Sequence, residues 1–190
     1  MAEKLRIERE RFYSAHHVLM RLAKDNLLIA ERKEPGWSDD LFSSLVFSSL
    51  VLEAFSNAVG EKVITSWGDF DSARPQAKIR LICEHLDITY DPQIEPWATL
   101  VWLAKVRNLV AHPKAVLLSD SAVISKDDYY TTERSQPLSK LEKEITIDNA
   151  KKSVKALDDV IDMICHRLTP EENFGISGDM WSSSAKADYD

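Results

Sequence analysis

Four polar side chains stand near the end of an otherwise apolar stretch, residues 97–113: Lys105, Arg107, Asn108 and His112. Three of them can carry a positive charge, and the fourth is an amide. No Gly or Pro interrupts residues 97–111, so the stretch predicts a helix buried on most of its circumference. Charged groups are costly on such a helix unless its end opens on a pocket or an interface. The sequence therefore predicts a pocket or an interface at this end.

The spacing of these residues predicts how the end is arranged. Asn108 and His112 are four residues apart and share one face, whereas Arg107 lies well around the helix from His112. Pro113 lacks an N–H and disfavours helical geometry at the residue before it, so we expect the last turn to loosen at His112. A loosened turn could bring the imidazole toward the guanidinium.

The elements that must position these residues are helical. The chain has 190 residues, is 44% hydrophobic and contains five Gly and seven Pro, which predicts one helical domain with a tail. Periodicity predicts about five helices in an antiparallel bundle. We expect them at about residues 3–33, at 39–59 with Gly60 as the stop, after Asp71 or Ser72, from Asp91-Pro92 or Glu95-Pro96 to 111, and at 147–168. On the third helix, Arg74, Lys78 and Arg80 are expected outside.

Two segments do not fit the helical period. Residues 115–136 contain short apolar runs and a polar stretch, which predicts an irregular or hairpin insertion that is either a substrate-contacting flap or a mobile connection. Residues 169–190 are rich in Ser, Gly and acid, which predicts a disordered acidic tail, although Trp181 could dock. The predicted domain is therefore 1–168.

Composition limits the location and the partners. No apolar run reaches membrane-spanning length and the charged start lacks the apolar stretch of a secretion signal, so we expect a cytoplasmic protein without membrane contact. Cys83 and Cys165 fall on apolar helix faces, which favours reduced core thiols. A net charge of −7 argues against a general nucleic-acid coat and leaves room for a small basic site.

Other candidate residues are weaker. His16 and His17 could be ligands, but neighbours on a helix diverge by about 100° and nothing nearby completes a metal set, so we expect them at the surface or the core edge. Glu53 lies among apolar residues and is either a buried partner for a cation or a solvated position between two apolar stripes. The sequence has no Gly-rich phosphate loop, paired-Cys zinc pattern or exposed-Ser elbow, so no metal or cofactor is predicted.

The pattern Arg107-Asn108-x3-His112 resembles the signature of HEPN domains, which are all-helical bundles. Its context adds to the resemblance: Pro-Lys follows it, an earlier helix reads Leu-Val-Leu-Glu-Ala-Phe at 50–55, and Ile-Thr-Ile-Asp at 145–148 introduces the last helix. The resemblance covers about residues 38–168. The first helix, the insertion and the tail lie outside it.

The resemblance implies a homodimer whose signature helices meet across a cleft and, in active members, metal-independent cleavage of RNA. Many members are toxins of toxin–antitoxin or other defence systems, often encoded beside a minimal nucleotidyltransferase that serves as antitoxin. Carried over, His112 would be the general acid and base, Arg107 would hold the scissile phosphate and Asn108 would orient the site. Lys105 and Lys114 lie beside the signature and are candidate substrate-binding residues, and Glu53 is a candidate support for the site.

General chemistry agrees with these implied roles. Attack by a ribose 2′-hydroxyl needs one group to take a proton and another to deliver one, and His titrates near neutral pH. Arg offers a planar fork of donors to the phosphoryl oxygens. One chain supplies one signature His, so a twofold axis would supply the second.

The alternatives to a nuclease are a non-catalytic module that binds a nucleotide, RNA or a protein, and a structural scaffold of a larger defence complex.

Overall fold

The computed structural model describes residues 5–32, 39–112, 114–121, 123–129, 136–178 and 180–187. These residues form a mostly helical bundle with a small two-stranded sheet, which confirms the predicted all-α class. In chain order the elements are β1 (Leu5–Phe12), α1 (Ala15–Arg32), α2 (Asp39–Val63), α3 (Pro75–His85), α4 (Trp97–Ala111), α5 (Lys140–Glu144), α6 (Ile147–Cys165) and β2 (Met180–Ala187). A short 3-10 helix, Trp67–Phe70, lies between α2 and α3.

The helix α2 is the centre of the bundle and packs against α1, α3, α4 and α6. Small buried residues allow the close approach, and Ser44 Oγ donates to the Ala23 carbonyl of α1 at 2.8 Å. By length and composition alone α2 could cross a membrane, but about half of its most apolar window is buried inside the protein. Core helices that never enter a membrane can meet the same two criteria, so the length and composition of α2 do not by themselves indicate a membrane span.

The predicted stop at Gly60 is wrong, because α2 continues through it to Val63. A Cβ at Gly60 would lie 2.4 Å from the indole ring of Trp67. Gly60 therefore leaves room for the Trp67 ring, which is buried in the main core. Here the glycine serves packing and does not end the helix.

The predicted first helix, 3–33, is wrong in its N-terminal part, since residues 5–12 form β1 and α1 begins at Ala15. The predicted disordered tail is also wrong over 180–187, where β2 pairs antiparallel with β1 from Leu5–Ala187 to Phe12–Met180. Each strand finds its partner at the opposite end of the described chain. Local periodicity contains no information about such a partner, which explains both errors.

Residues 169–178 link α6 to the sheet through a series of turns that contact the core. Ile176 is fully buried and its carbonyl accepts a hydrogen bond from His16 Nε2 at 3.0 Å. Gly175 has a φ of +76° and lies against the Phe12 ring, where a Cβ would clash. This part of the predicted tail is therefore anchored to the domain.

The insertion is irregular where it is described. Residues 114–121 and 123–129 contain no strand, and their side chains are exposed. Of the two predicted forms, the irregular one is found. The choice between a substrate-contacting flap and a connection stays a prediction.

Three helix ends refine the predictions. The α4 helix begins after Glu95-Pro96, which is one of the two starts that the sequence predicts. The Glu95 carboxylate accepts a hydrogen bond from Thr99 Oγ1 at 2.7 Å. A hydrogen bond from Lys152, followed by that from Thr99, lowers the pKa of Glu95. The α3 helix begins at Pro75 instead of after Asp71 or Ser72, with Arg74 as a cap residue that makes no side-chain capping bond. The last helix ends at Cys165, before the predicted 168.

Candidate functional site

The helix α4 is fixed along one side and open along the other at its C-terminal end. Leu100, Leu103 and Val106 are buried in the bundle, whereas Lys105, Asn108 and His112 are exposed. The helix ends at Ala111, and His112 leaves helical geometry with φ −130° and ψ 51°. The predicted end of the helix at His112 is therefore confirmed.

Arg107 is held by a carboxylate from another helix. Its Nη2 donates to Glu53 Oε2 on α2 at 3.2 Å, and its Nη1 makes a longer contact, 3.5 Å, with Asn108 Oδ1. The side chains of Arg107 and Glu53 are 35% and 33% exposed, so water still reaches the pair. Of the two interpretations of Glu53, the structure supports the partner for a cation, at a half-buried position.

A cavity of about 560 Å³ lies between α2, the N-terminal end of α3 and α4. We call it the signature cavity, because Arg107 and Asn108 line it. Its charged and polar lining residues are Glu53, Asp71, Ser72, Arg74, Gln76, Lys105, Arg107 and Asn108. Three cations thus face two carboxylates in a protein whose overall charge is −7.

The structure brings only some of the predicted site residues together. Lys105, Arg107, Asn108 and Glu53 share the signature cavity. His112 and Lys114 are exposed and do not line it. Among the described residues, no hydrogen bond joins the His112 and Arg107 side chains. A single chain therefore leaves the imidazole outside the cavity, facing solvent.

The wall of the cavity depends on Lys78, which was expected outside and is instead 1% exposed. Its ammonium donates to Asn57 Oδ1 at 2.7 Å and to the Asp71 carbonyl at 3.0 Å, and it lies 5.8 Å from the centre of the Trp67 ring. These contacts fix the segment that ends at Asp71. A lysine on a short amphipathic helix gives no sequence signal of burial, because its partners come from α2 and the preceding loop.

Sequence reasoning also missed the role of Arg74 and Gln76. Both lie at the N-terminal end of α3 and line the signature cavity. The only available signal was the run Ala-Arg-Pro-Gln at 73–76, since Pro is common in the first turn of a helix. Which neighbour that turn would face was not encoded locally.

A second cavity, of about 440 Å³, lies between α1, α6 and the turns before β2. We call it the histidine cavity, because His16 and His17 line it. His16 is 1% exposed, so the predicted surface or core-edge position is wrong for it, while His17 is half-buried. His16 Nδ1 contacts Ser14 Oγ at 2.6 Å, and His16 Nε2 donates to the Ile176 carbonyl. Both ring nitrogens of His16 therefore have structural partners.

Cys165 lines the same cavity, but it is not an activated nucleophile. Burial, with a smaller contribution from Asp162, raises the pKa of its thiol to about 11. The described residues contain no group of three His, Cys, Asp or Glu side chains arranged to hold a metal ion. The histidine cavity thus lacks the features of a thiol-based or metal-based centre.

Comparison of the chain with protein-family models, with curated proteins and with solved structures finds no significant match. The resemblance to HEPN domains therefore stays a prediction.

Proposed function

We propose that the protein is a metal-independent endoribonuclease of the HEPN type that acts as a homodimer. The observation that carries the proposal is the arrangement at the end of α4: Arg107 and Asn108 line a cavity with more cations than carboxylates, and His112 stands exposed at the same helix end. We propose a cytoplasmic role as a toxin or another defence component. A nucleotidyltransferase-type antitoxin is the proposed protein partner.

The roles follow from side-chain chemistry. His112 of one protomer takes the proton of a ribose 2′-hydroxyl, whose oxygen attacks the adjacent phosphorus. Arg107 donates to the phosphoryl oxygens as charge builds on them, and Asn108 beside it orients the phosphate. The bond to the 5′-oxygen breaks, and that oxygen takes a proton from the partner's His112. The products are a 2′,3′-cyclic phosphate and a free 5′-hydroxyl.

The position of His112 supports the dimer. In one chain the imidazole lies outside the signature cavity, and a second proton-transfer group is needed on the other side of the phosphate. A twofold axis near the ends of two α4 helices meets both needs, because it brings a second imidazole to the same phosphate. The exposed Leu109 on that end of α4 is available for the contact.

The first experiment incubates structured and single-stranded RNA with the purified protein in EDTA and compares wild type with His112→Ala. We expect wild type to cleave and His112→Ala to lose cleavage, with unchanged helical content and mass in solution. The matched control is His166→Ala, since His166 is also an exposed residue that caps the end of a helix, α6. Cleavage by wild type and both variants would contradict the assignment of His112 as the proton-transfer residue. An equal loss of cleavage in His112→Ala and His166→Ala would contradict it as well.

A non-catalytic binding module is the second candidate, and the Arg107–Glu53 ion pair favours it. A guanidinium that already has a carboxylate partner can serve a polar network that fixes the helix end or the dimer. This candidate predicts intact RNA with every variant.

A further inference from the structure

Two cations of the signature cavity have no carboxylate partner among the described residues. Arg74, just before α3, and Lys105, on α4, are exposed, line the cavity and form no ion pair within the described part of the chain. Arg107, in contrast, is engaged by Glu53. The cavity therefore offers positive charge away from the signature arginine, and that charge is not balanced by an ion pair.

The backbone at the same place also has an unused donor. Pro75, the first residue of the 11-residue α3 helix, has no N–H, and the N–H groups of residues 77 and 78 both donate to the Arg74 carbonyl. The N–H of Gln76 has no acceptor within the described residues. An N–H at a helix N-terminus carries partial positive charge and suits an anion.

The segment that carries these groups is fixed by hydrogen bonds of Lys78. The ammonium of Lys78 is fully buried, and its hydrogen-bond acceptors are an amide oxygen and a carbonyl oxygen, with no carboxylate among them. Its contact with the Asp71 carbonyl holds this ammonium next to the segment that carries Asp71, the acidic residue of this wall. A buried charge of this kind is costly in the fold unless it is well hydrogen-bonded, as Lys78 is.

We propose that the α3 end of the signature cavity is a second phosphate subsite, which binds the phosphate next to the scissile one in a single-stranded RNA. Arg74 and Lys105 supply the charge, and the N–H of Gln76 supplies a directed donor. This proposal rests on the proposed function, in which Arg107 holds the scissile phosphate. The RNA strand then runs from the end of α4 toward the start of α3.

The test measures RNA affinity as a function of salt in the His112→Ala background, where the strand stays intact. Each phosphate neutralised on a single strand contributes about 0.7 to the slope of log K against log salt. We expect Arg74→Gln and Lys105→Gln each to lower that slope by about 0.7. We also expect roughly tenfold weaker binding of an oligonucleotide, the loss of one charge-assisted contact.

The controls remove the same charge elsewhere. Arg167→Gln and Lys155→Gln change exposed residues that do not line the signature cavity. We expect both to keep the parental slope. Circular dichroism and the melting temperature check that all four variants are folded. Equal slopes for Arg74→Gln and Arg167→Gln overturn the subsite.

The outcomes separate this proposal from the proposed function. If wild type cleaves RNA and the Arg74→Gln slope is unchanged, the nuclease assignment stands and the subsite is wrong. If wild type does not cleave but RNA binding depends on Arg74 as expected, the subsite stands in a binding module. Failure of the parent protein to bind the oligonucleotide overturns the subsite as well.

Discussion

The signature cavity and the histidine cavity differ in how their charges are used. In the histidine cavity, Arg21 and Lys24 face three carboxylates, and Lys24 Nζ contacts Asp158 Oδ1 at 2.7 Å. In the signature cavity, cations outnumber carboxylates, and two of them have no ion-pair partner among the described residues. The histidine cavity is lined by more titratable side chains. The signature cavity, in contrast, has cations without ion-pair partners among the described residues.

The partners of a histidine indicate its role better than its presence beside a cavity does. His16 is buried with both ring nitrogens engaged, so it is poorly placed to exchange protons with a substrate. His112 is exposed at a helix end. The first histidine stabilises the fold, whereas the second is accessible to an RNA strand.

The largest expected effect comes from removing the wall of the histidine cavity. A chain ending at Thr169 loses fully buried Ile176 and the acceptor of His16 Nε2, at a cost of roughly 4 kcal/mol of unfolding free energy. We expect its melting temperature to fall by about 10 °C. A chain ending at Gly178 keeps the 170–178 turns and loses β2, and its melting temperature should fall by no more than about 3 °C, since a two-stranded sheet adds little stability.

Thermal denaturation followed by circular dichroism measures the difference between the two truncations. Equal melting temperatures would mean that the 170–178 turns do not stabilise the domain.

A medium effect is expected at the wall of the signature cavity. Gly60→Ala places a methyl group against the Trp67 ring and should cost about 1–3 kcal/mol through overpacking. Because Trp67 lies beside Lys78, we also expect weaker RNA binding. Gly68→Ala is the control, since nothing lies within 4 Å of its added Cβ. Denaturant titration gives the unfolding free energy of both variants, and a binding assay gives their RNA affinity. Equal values for Gly60→Ala and Gly68→Ala would refute the packing role of Gly60.

The smallest effect on stability is expected from the ion pairs of the two cavities. Glu53→Gln should change the unfolding free energy by less than about 1 kcal/mol, because the pair is a third exposed. RNA cleavage should slow by about tenfold as Arg107 loses its charged support, a loss of roughly 1.4 kcal/mol at the transition state. RNA affinity should not weaken, because the substitution removes a negative charge from the lining of the cavity.

The matched variant is Asp158→Asn, which neutralises the carboxylate that pairs with Lys24 in the histidine cavity. We expect neither cleavage nor RNA affinity to change with it. Steady-state rates and affinities of both variants provide the readout. A full cleavage rate in Glu53→Gln would remove Glu53 from the site.

Much of the bundle was predictable because its signals are local. The stripe of apolar residues on α6 and the uninterrupted apolar run of α4 follow from the helical repeat. The end of α4 at His112 follows from the proline after it. The signature residues could be identified by spacing, and Glu53 could be identified as a candidate partner by its apolar neighbours.

The sequence alone predicts most of the helices and the polar residues at the end of α4, because helical spacing and the proline after His112 act over a few residues. Packing between distant segments fixed the other features: β1 pairs with β2, Lys78 and His16 are buried, and Arg107 contacts Glu53. It also decided that Arg74 and Lys105 line one cavity without ion-pair partners in the described chain. These features join residues distant in sequence, and their partners are fixed by packing, which no local pattern encodes.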